Sequence, residues 1–158
     1  MNQNPTTKLF AALTAEHVAL QEFISLLERE QGLLVENQTD QLLELAEQKS
    51  VFTINLNKLA ESRRSLLRKN IPLLSADSVH NWLEKHSAEG LAVWKKIRIL
   101  AEQAQQINHA NGELIQMKLR HNQQSLIVLS NAVNKANLYG PDGQTSFSPG
   151  SGRSLGSG

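Results

Sequence analysis

The sequence contains no cysteine. Disulfides, thiolate zinc sites and cysteine nucleophiles are therefore excluded. Aromatics make up only 4% of the 158 residues, while Leu and Ala dominate the apolar set. That balance disfavours a β-sandwich and suits helices packed side by side. The four prolines stand at 5, 72, 141 and 149, so nothing breaks the long stretches between them. No run of about 18 apolar residues occurs, so no membrane-spanning helix is expected. The start, MNQNPTTKLF, lacks the basic-then-apolar pattern of a signal peptide, and a cytoplasmic protein is expected.

The motifs of catalysis are missing too. There is no GxxxxGK[ST] phosphate loop, no G-x-S-x-G elbow and no H-E-x-x-H. The Glu-x-x-His spacing of a di-iron bundle does not occur. His80 with Glu84 and His109 with Glu113 share helix faces, but such pairs are common on solvated helices. Trp82 and Trp94 read as core or interface anchors. No enzyme, metal site or cofactor is expected.

Charge is present but uneven. Residues 1–50 carry three basic and eight acidic side chains; residues 51–158 carry thirteen basic and seven acidic. The plain reading is that antiparallel helices of opposite sign lie together. A nucleic-acid patch is the sharper one, with Arg63, Arg64, Arg68 and Lys69 clustered, and Lys95, Lys96 and Arg98. No aromatic is interleaved for base stacking, so no nucleic-acid partner is expected.

Leu13, Leu20, Leu27 and Leu34 recur every seven residues, with Phe10, His17, Ile24 and Gln31 three before each. This predicts a first helix from about Thr7 to Glu36 with an a/d seam and two polar interruptions. Thr39 is placed to cap a second helix, about Asp40 to Lys69. Its seam holds Leu45, Phe52, Leu59 and Leu66, with Leu42 and Leu56 adjoining. Lys49 and Arg63 fill the remaining seam positions, and are expected to pack their stems and send their charges to water. The short connection makes the pair an antiparallel hairpin. Pro72 breaks the pattern, and a short helix, about Ala76 to His86, follows with Val79, Trp82 and Leu83 on one face. Ser87 or Gly90 interrupts it, or it runs on.

The last helix is expected from about Leu91 to Ala136. Its first seam is Val93, Leu100, Ile107 and Leu114; its second is Ile115, Leu119, Leu126, Leu129 and Val133. The stripe changes near Asn111-Gly112, where a kink or a close helix contact would explain the glycine. Helices one and two would be roughly 45 Å long and the last roughly 70 Å. Leu126, Leu129 and Val133 would then overhang the hairpin. The short Trp82 segment, a second copy of the chain or a partner protein would have to cover them. The fold class is thus all-α: an antiparallel hairpin plus a long third helix, with a short connecting helix. Residues 1–138 form the helical domain. Residues 139–158, holding six of the nine glycines, read as a flexible Gly/Ser-rich tail.

One stretch is more specific. "NHANGELIQMKLRHNQQSLIVL", residues 108–129, followed by "LYGPDGQTS", resembles the C-terminal half of the FlgN family of flagellar export chaperones. The shared pattern is Asn111 and Gly112, then Asn122, Gln123 and Gln124, then Leu138, Tyr139, Gly140, Asp142, Gly143, Gln144 and Thr145. The resemblance implies a cytoplasmic chaperone for the hook-associated junction proteins, FlgK and FlgL, and delivery to the flagellar export gate. It associates the tail tyrosine, here Tyr139, with gate docking; packing back on the core is the plain alternative for that ring. The expected partner-binding residues are Asn111, Gly112, Asn122, Gln123, Leu126, Leu129, Val133, Leu138, Tyr139, Asp142 and Gly143. The competing function is a structural coiled-coil protein that self-associates through its exposed seam, and a basic helical nucleic-acid binder stands third.

Overall fold

The computed structural model describes residues 4–121, together with Ser130, Asn131 and Asn134. Four α-helices follow one another: α1 (Pro5–Val35), α2 (Leu42–Arg68), α3 (Ala76–His86) and α4 (Ala88–His121). Among the described residues there is no strand.

The helix ends follow from local chemistry. Pro5 opens α1, where its missing N–H costs nothing, and the Asn4 side chain accepts from Thr6 N. Asn37 has φ 59°, the left-handed conformation that reverses a chain after a helix, and Gln38 N donates to Leu33 O. Thr39 does not cap α2 as expected. It opens a single 3-10 turn, Thr39–Gln41, and no side chain caps α2. Ser75 and Ser78 each accept the other's backbone N–H at the start of α3. Ser87 alone separates α3 from α4: it is extended, and its Oγ accepts from Gly90 N. A Cβ at Gly90 would lie 2.9 Å from that Oγ and 3.1 Å from Leu83 Cδ2, so a larger residue there would push the Ser87 hydroxyl from its place at the helix start.

The buried faces repeat at alternate steps of three and four, the signature of a coiled-coil seam. On α1 the seam runs Leu9, Leu13, Glu16, Leu20, Phe23, Leu27, Glu30 and Leu34. On α2 it runs Leu42, Ala46, Lys49, Thr53, Leu56, Ala60, Arg63 and Leu67. On α4 it runs Trp94, Ile97, Ala101, Ala104, Asn108, Asn111 and Ile115. Helix α1 is central and packs along both α2 and α4, whose backbones approach each other far less. Small residues on α4, Ala101 and Ala104, allow its close approach to α1.

This corrects the expected seams. Beside the leucine heptad of α1 stand Leu9, Glu16, Phe23 and Glu30; Phe10 is exposed, and His17 and Gln31 only half-buried. Phe52, Leu59 and Leu66 on α2, and Val93, Leu100, Ile107 and Leu114 on α4, are half-buried flanks. The stripe of α4 does not change at Asn111-Gly112; the helix continues unbroken and the seam reaches Ile115. The reason is that interior positions carry charge or amide groups, so counting apolar residues selects the neighbouring stripe.

Helix α4 runs parallel to α1. Glu16 meets Arg63, which lies over Trp94, and fourteen residues along α1 Glu30 meets Lys49, which reaches Asn108. The expected pairing of antiparallel helices of opposite sign holds between acidic α1 and basic α2, which both buried ion pairs join, and basic α4 lies beside acidic α1 as a parallel neighbour. The α3 segment packs against the start of α4, with Val79 near Trp94 and Leu67. It thus lies at the end opposite the hairpin tip. Leu20 is fully buried at the centre of α1. Leu20→Ala should cost about 2–5 kcal/mol, whereas Leu73→Ala, at a side chain 81% exposed, should stay within about 0.5 kcal/mol; denaturant unfolding of the two variants checks both.

Candidate partner-binding site

Eleven residues were expected to meet partners, and Asn111 and Gly112 lie within the described part. Asn111 has 0% exposure. Its Nδ2 donates to Leu27 O at 2.9 Å and to Glu30 Oε1 at 2.8 Å, which ties α4 to α1. Gly112 beside it is half-buried within α4. Asn122, Gln123, Leu126, Leu129, Val133, Leu138, Tyr139, Asp142 and Gly143 lie outside the described residues. Between them, Ser130 is helical and buried, Asn131 helical and exposed, and Asn134 helical and half-buried.

What holds α4 in place is a pair of polar layers. In the first, Arg63 Nη1 donates to both carboxylate oxygens of Glu16, at 2.7 and 2.6 Å, and its guanidinium lies 4.9 Å from the centre of the Trp94 ring. In the second, Lys49 Nζ donates to Glu30 Oε1 at 3.0 Å and to Asn108 Oδ1 at 2.8 Å. Lys49 and Arg63 are 0% and 2% exposed. This overturns the expectation that their charges reach water. Removal from water lowers the Lys49 pKa from its usual range, and Glu30 opposes that shift by attraction and hydrogen bonding. Each buried cation meets a carboxylate of α1, so the two layers together favour one alignment of the three helices.

That alignment fixes where α4 arrives. Lys118 donates to Asn37 Oδ1, at the tip of the hairpin. The last described turn of α4 therefore stands at the tip, and the sequence continues through residues 122–158. Among the described residues no three His, Asp or Glu side chains converge to hold a metal ion, and no helix is long and apolar enough to cross a membrane.

Sequence reasoning missed one surface. Phe10, Ala11, Thr14, Ala15 and Val18 of α1 and Leu59 of α2 line an open groove of about 710 Å³ on the hairpin. Phe10 was assigned to the interior, which concealed it.

Removing one partner of a buried pair leaves a charge uncompensated. Arg63→Ala should therefore cost about 3–5 kcal/mol, while the double change Glu16→Leu with Arg63→Met should cost much less than that single one; thermal and denaturant unfolding compare them.

Among known proteins, the family model described as FlgN protein matches residues 1–146. Neither the curated proteins nor the solved structures give a match.

Proposed function

The chain belongs to the FlgN family, a family of flagellar export chaperones, and on that premise we propose that it is a cytoplasmic chaperone for hook–filament junction proteins of the FlgK and FlgL type that hands them to the flagellar export gate. The observation that carries this reading is the alignment of α4: it reaches the hairpin tip at Lys118 and Asn37, while the apolar residues Leu126, Leu129 and Val133 are still to come. A stripe presented there can take an amphipathic client helix in the helix-in-groove mode. Asn122 and Gln123 stand at its start. Asn111 contributes from inside, by holding α4 against α1.

The proposal divides the chain between a helical body, residues 1–138, and a tail, residues 139–158. Leu138, Tyr139, Asp142 and Gly143 are assigned to gate docking. The matched region extends to residue 146 and so includes this segment. One rigid aromatic beside a Pro-Asp-Gly turn makes a compact anchor whose flanks are cheap to order.

Changing Leu126 and Leu129 together to Asp should abolish client binding in calorimetry while far-UV circular dichroism stays unchanged. Tyr139→Ala should leave client affinity intact and lower the amount of junction protein secreted by a motile strain. Client binding by Tyr139→Ala that drops in proportion to export would place Tyr139 in the client site and end the two-site division.

A further inference from the structure

The groove on the α1/α2 hairpin lies on neither of the surfaces assigned above. Its floor is small: Ala11, Thr14 and Ala15. Its exposed ridges are Phe10 and Val18, 36% and 46% exposed, and Leu59 of α2 forms the far wall. Knob and hole thus belong to the same surface, which is the condition for an isologous contact between identical chains.

Charge points the same way. Along α1, Lys8, Ala11, Ala15, Val18 and Glu22 follow at alternate steps of three and four, and all are exposed. That is a second coiled-coil stripe, facing away from the core. Ala15 is its midpoint, and Lys8 and Glu22 stand seven residues to either side of it. Among the described residues neither Lys8 nor Glu22 has an ion-pair partner within the chain. If a second α1 is laid antiparallel across the first, with the two-fold axis at Ala15, Lys8 of each copy falls opposite the partner's Glu22. Ala11 then faces the partner's Val18, and Phe10 enters the partner's groove between Val18 and Glu22. An antiparallel helix pair turned to any other centre separates these charges.

We propose that the groove is the interface of a symmetric dimer, in which α1 packs antiparallel against the α1 of a second copy, centred on Ala15 and closed at both ends by Lys8–Glu22 ion pairs. The interface is small and its rim is polar, so the dimer is concentration-dependent. It leaves the end of α4, at the hairpin tip, free in both copies.

The absence of cysteine makes the test direct. Ala15→Cys in the full chain places one thiol from each copy at the axis, within disulfide reach, and should give a disulfide dimer on mild oxidation. Gln103→Cys, on the exposed face of α4, should not. Sedimentation equilibrium of Lys8→Glu or of Glu22→Lys should show dimerisation weakened about tenfold, because each creates two like-charge contacts. The double variant Lys8→Glu with Glu22→Lys should restore it. A chain that remains monomeric at millimolar concentration overturns the proposal. A dimer insensitive to both single reversals, or one whose swap variant is not restored, overturns this surface. An Ala15→Cys thiol that is blocked by purified junction protein instead of a second copy assigns the groove to the client.

Discussion

Two cations with no route to water govern this fold. Lys49 and Arg63 point inward from α2 and are buried. A buried charge without a partner costs several kcal/mol, so each is tolerable only where a carboxylate from α1 waits for it. Glu16 and Glu30 are fourteen residues apart on α1, as are Lys49 and Arg63 on α2. Antiparallel helices satisfy both pairs at once in a single alignment. Helix α4 completes the layers with Trp94 over Arg63 and with Asn108 and Asn111 beside Lys49 and Glu30. A slide of α1 against α2 by one heptad would set Glu30 against Leu42 or Leu56 and Arg63 against Leu9 or Phe23, and a slide of α4 would take Asn108 away from Lys49. Apolar packing alone would tolerate such a slide far better, as repeated leucines look alike to their neighbours.

Much of this was legible in the sequence. The leucine heptad of α1, the break at Pro72, the short helix over Ala76–His86 and the all-α class follow from periodicity and turn chemistry, and the FlgN resemblance from the stretch beginning at Asn108. One stripe of each interior seam was displaced by one position where charged and amide residues read as surface, while the α1 leucine heptad and Leu42, Lys49, Leu56 and Arg63 of α2 lie on the seam as expected. A signal was available: in an antiparallel hairpin turning near Asn37, Glu16 falls level with Arg63 and Glu30 with Lys49. Opposite charges recurring at matched levels mark a layer, where a single charged seam residue marks a flank. The cap at Thr39 failed for a different reason. A left-handed Asn37 and a 3-10 turn closed the connection through the backbone. Of the expected partner-binding residues, Asn111 was legible as special but not as interior, since its bonds go to Leu27 and Glu30, more than eighty residues away in sequence.

The same layers tie fold to function. The chain belongs to a family of flagellar export chaperones, and under the proposed function it keeps a tight body and presents a binding segment. Here the body is aligned by polar contacts at two levels, and the bond between Lys118 and Asn37 brings α4 to the hairpin tip. Stability and presentation are separable in principle. Replacing a buried polar layer by apolar residues of similar size often keeps or raises stability; what it removes is the penalty on wrong alignments.

Alignment is therefore what should be measured. Spin labels on Val35→Cys near the tip and Met117→Cys on α4, both exposed sites, report their separation by pulsed dipolar spectroscopy. With the native layers the account predicts one narrow distance. With Glu30, Lys49, Asn108 and Asn111 all replaced by leucine, the helices should persist, and a second distance population should appear, shifted by about 10 Å, the rise of one heptad. A single unchanged distance in the leucine variant would contradict the account and assign the alignment to apolar packing and the α2–α4 connection.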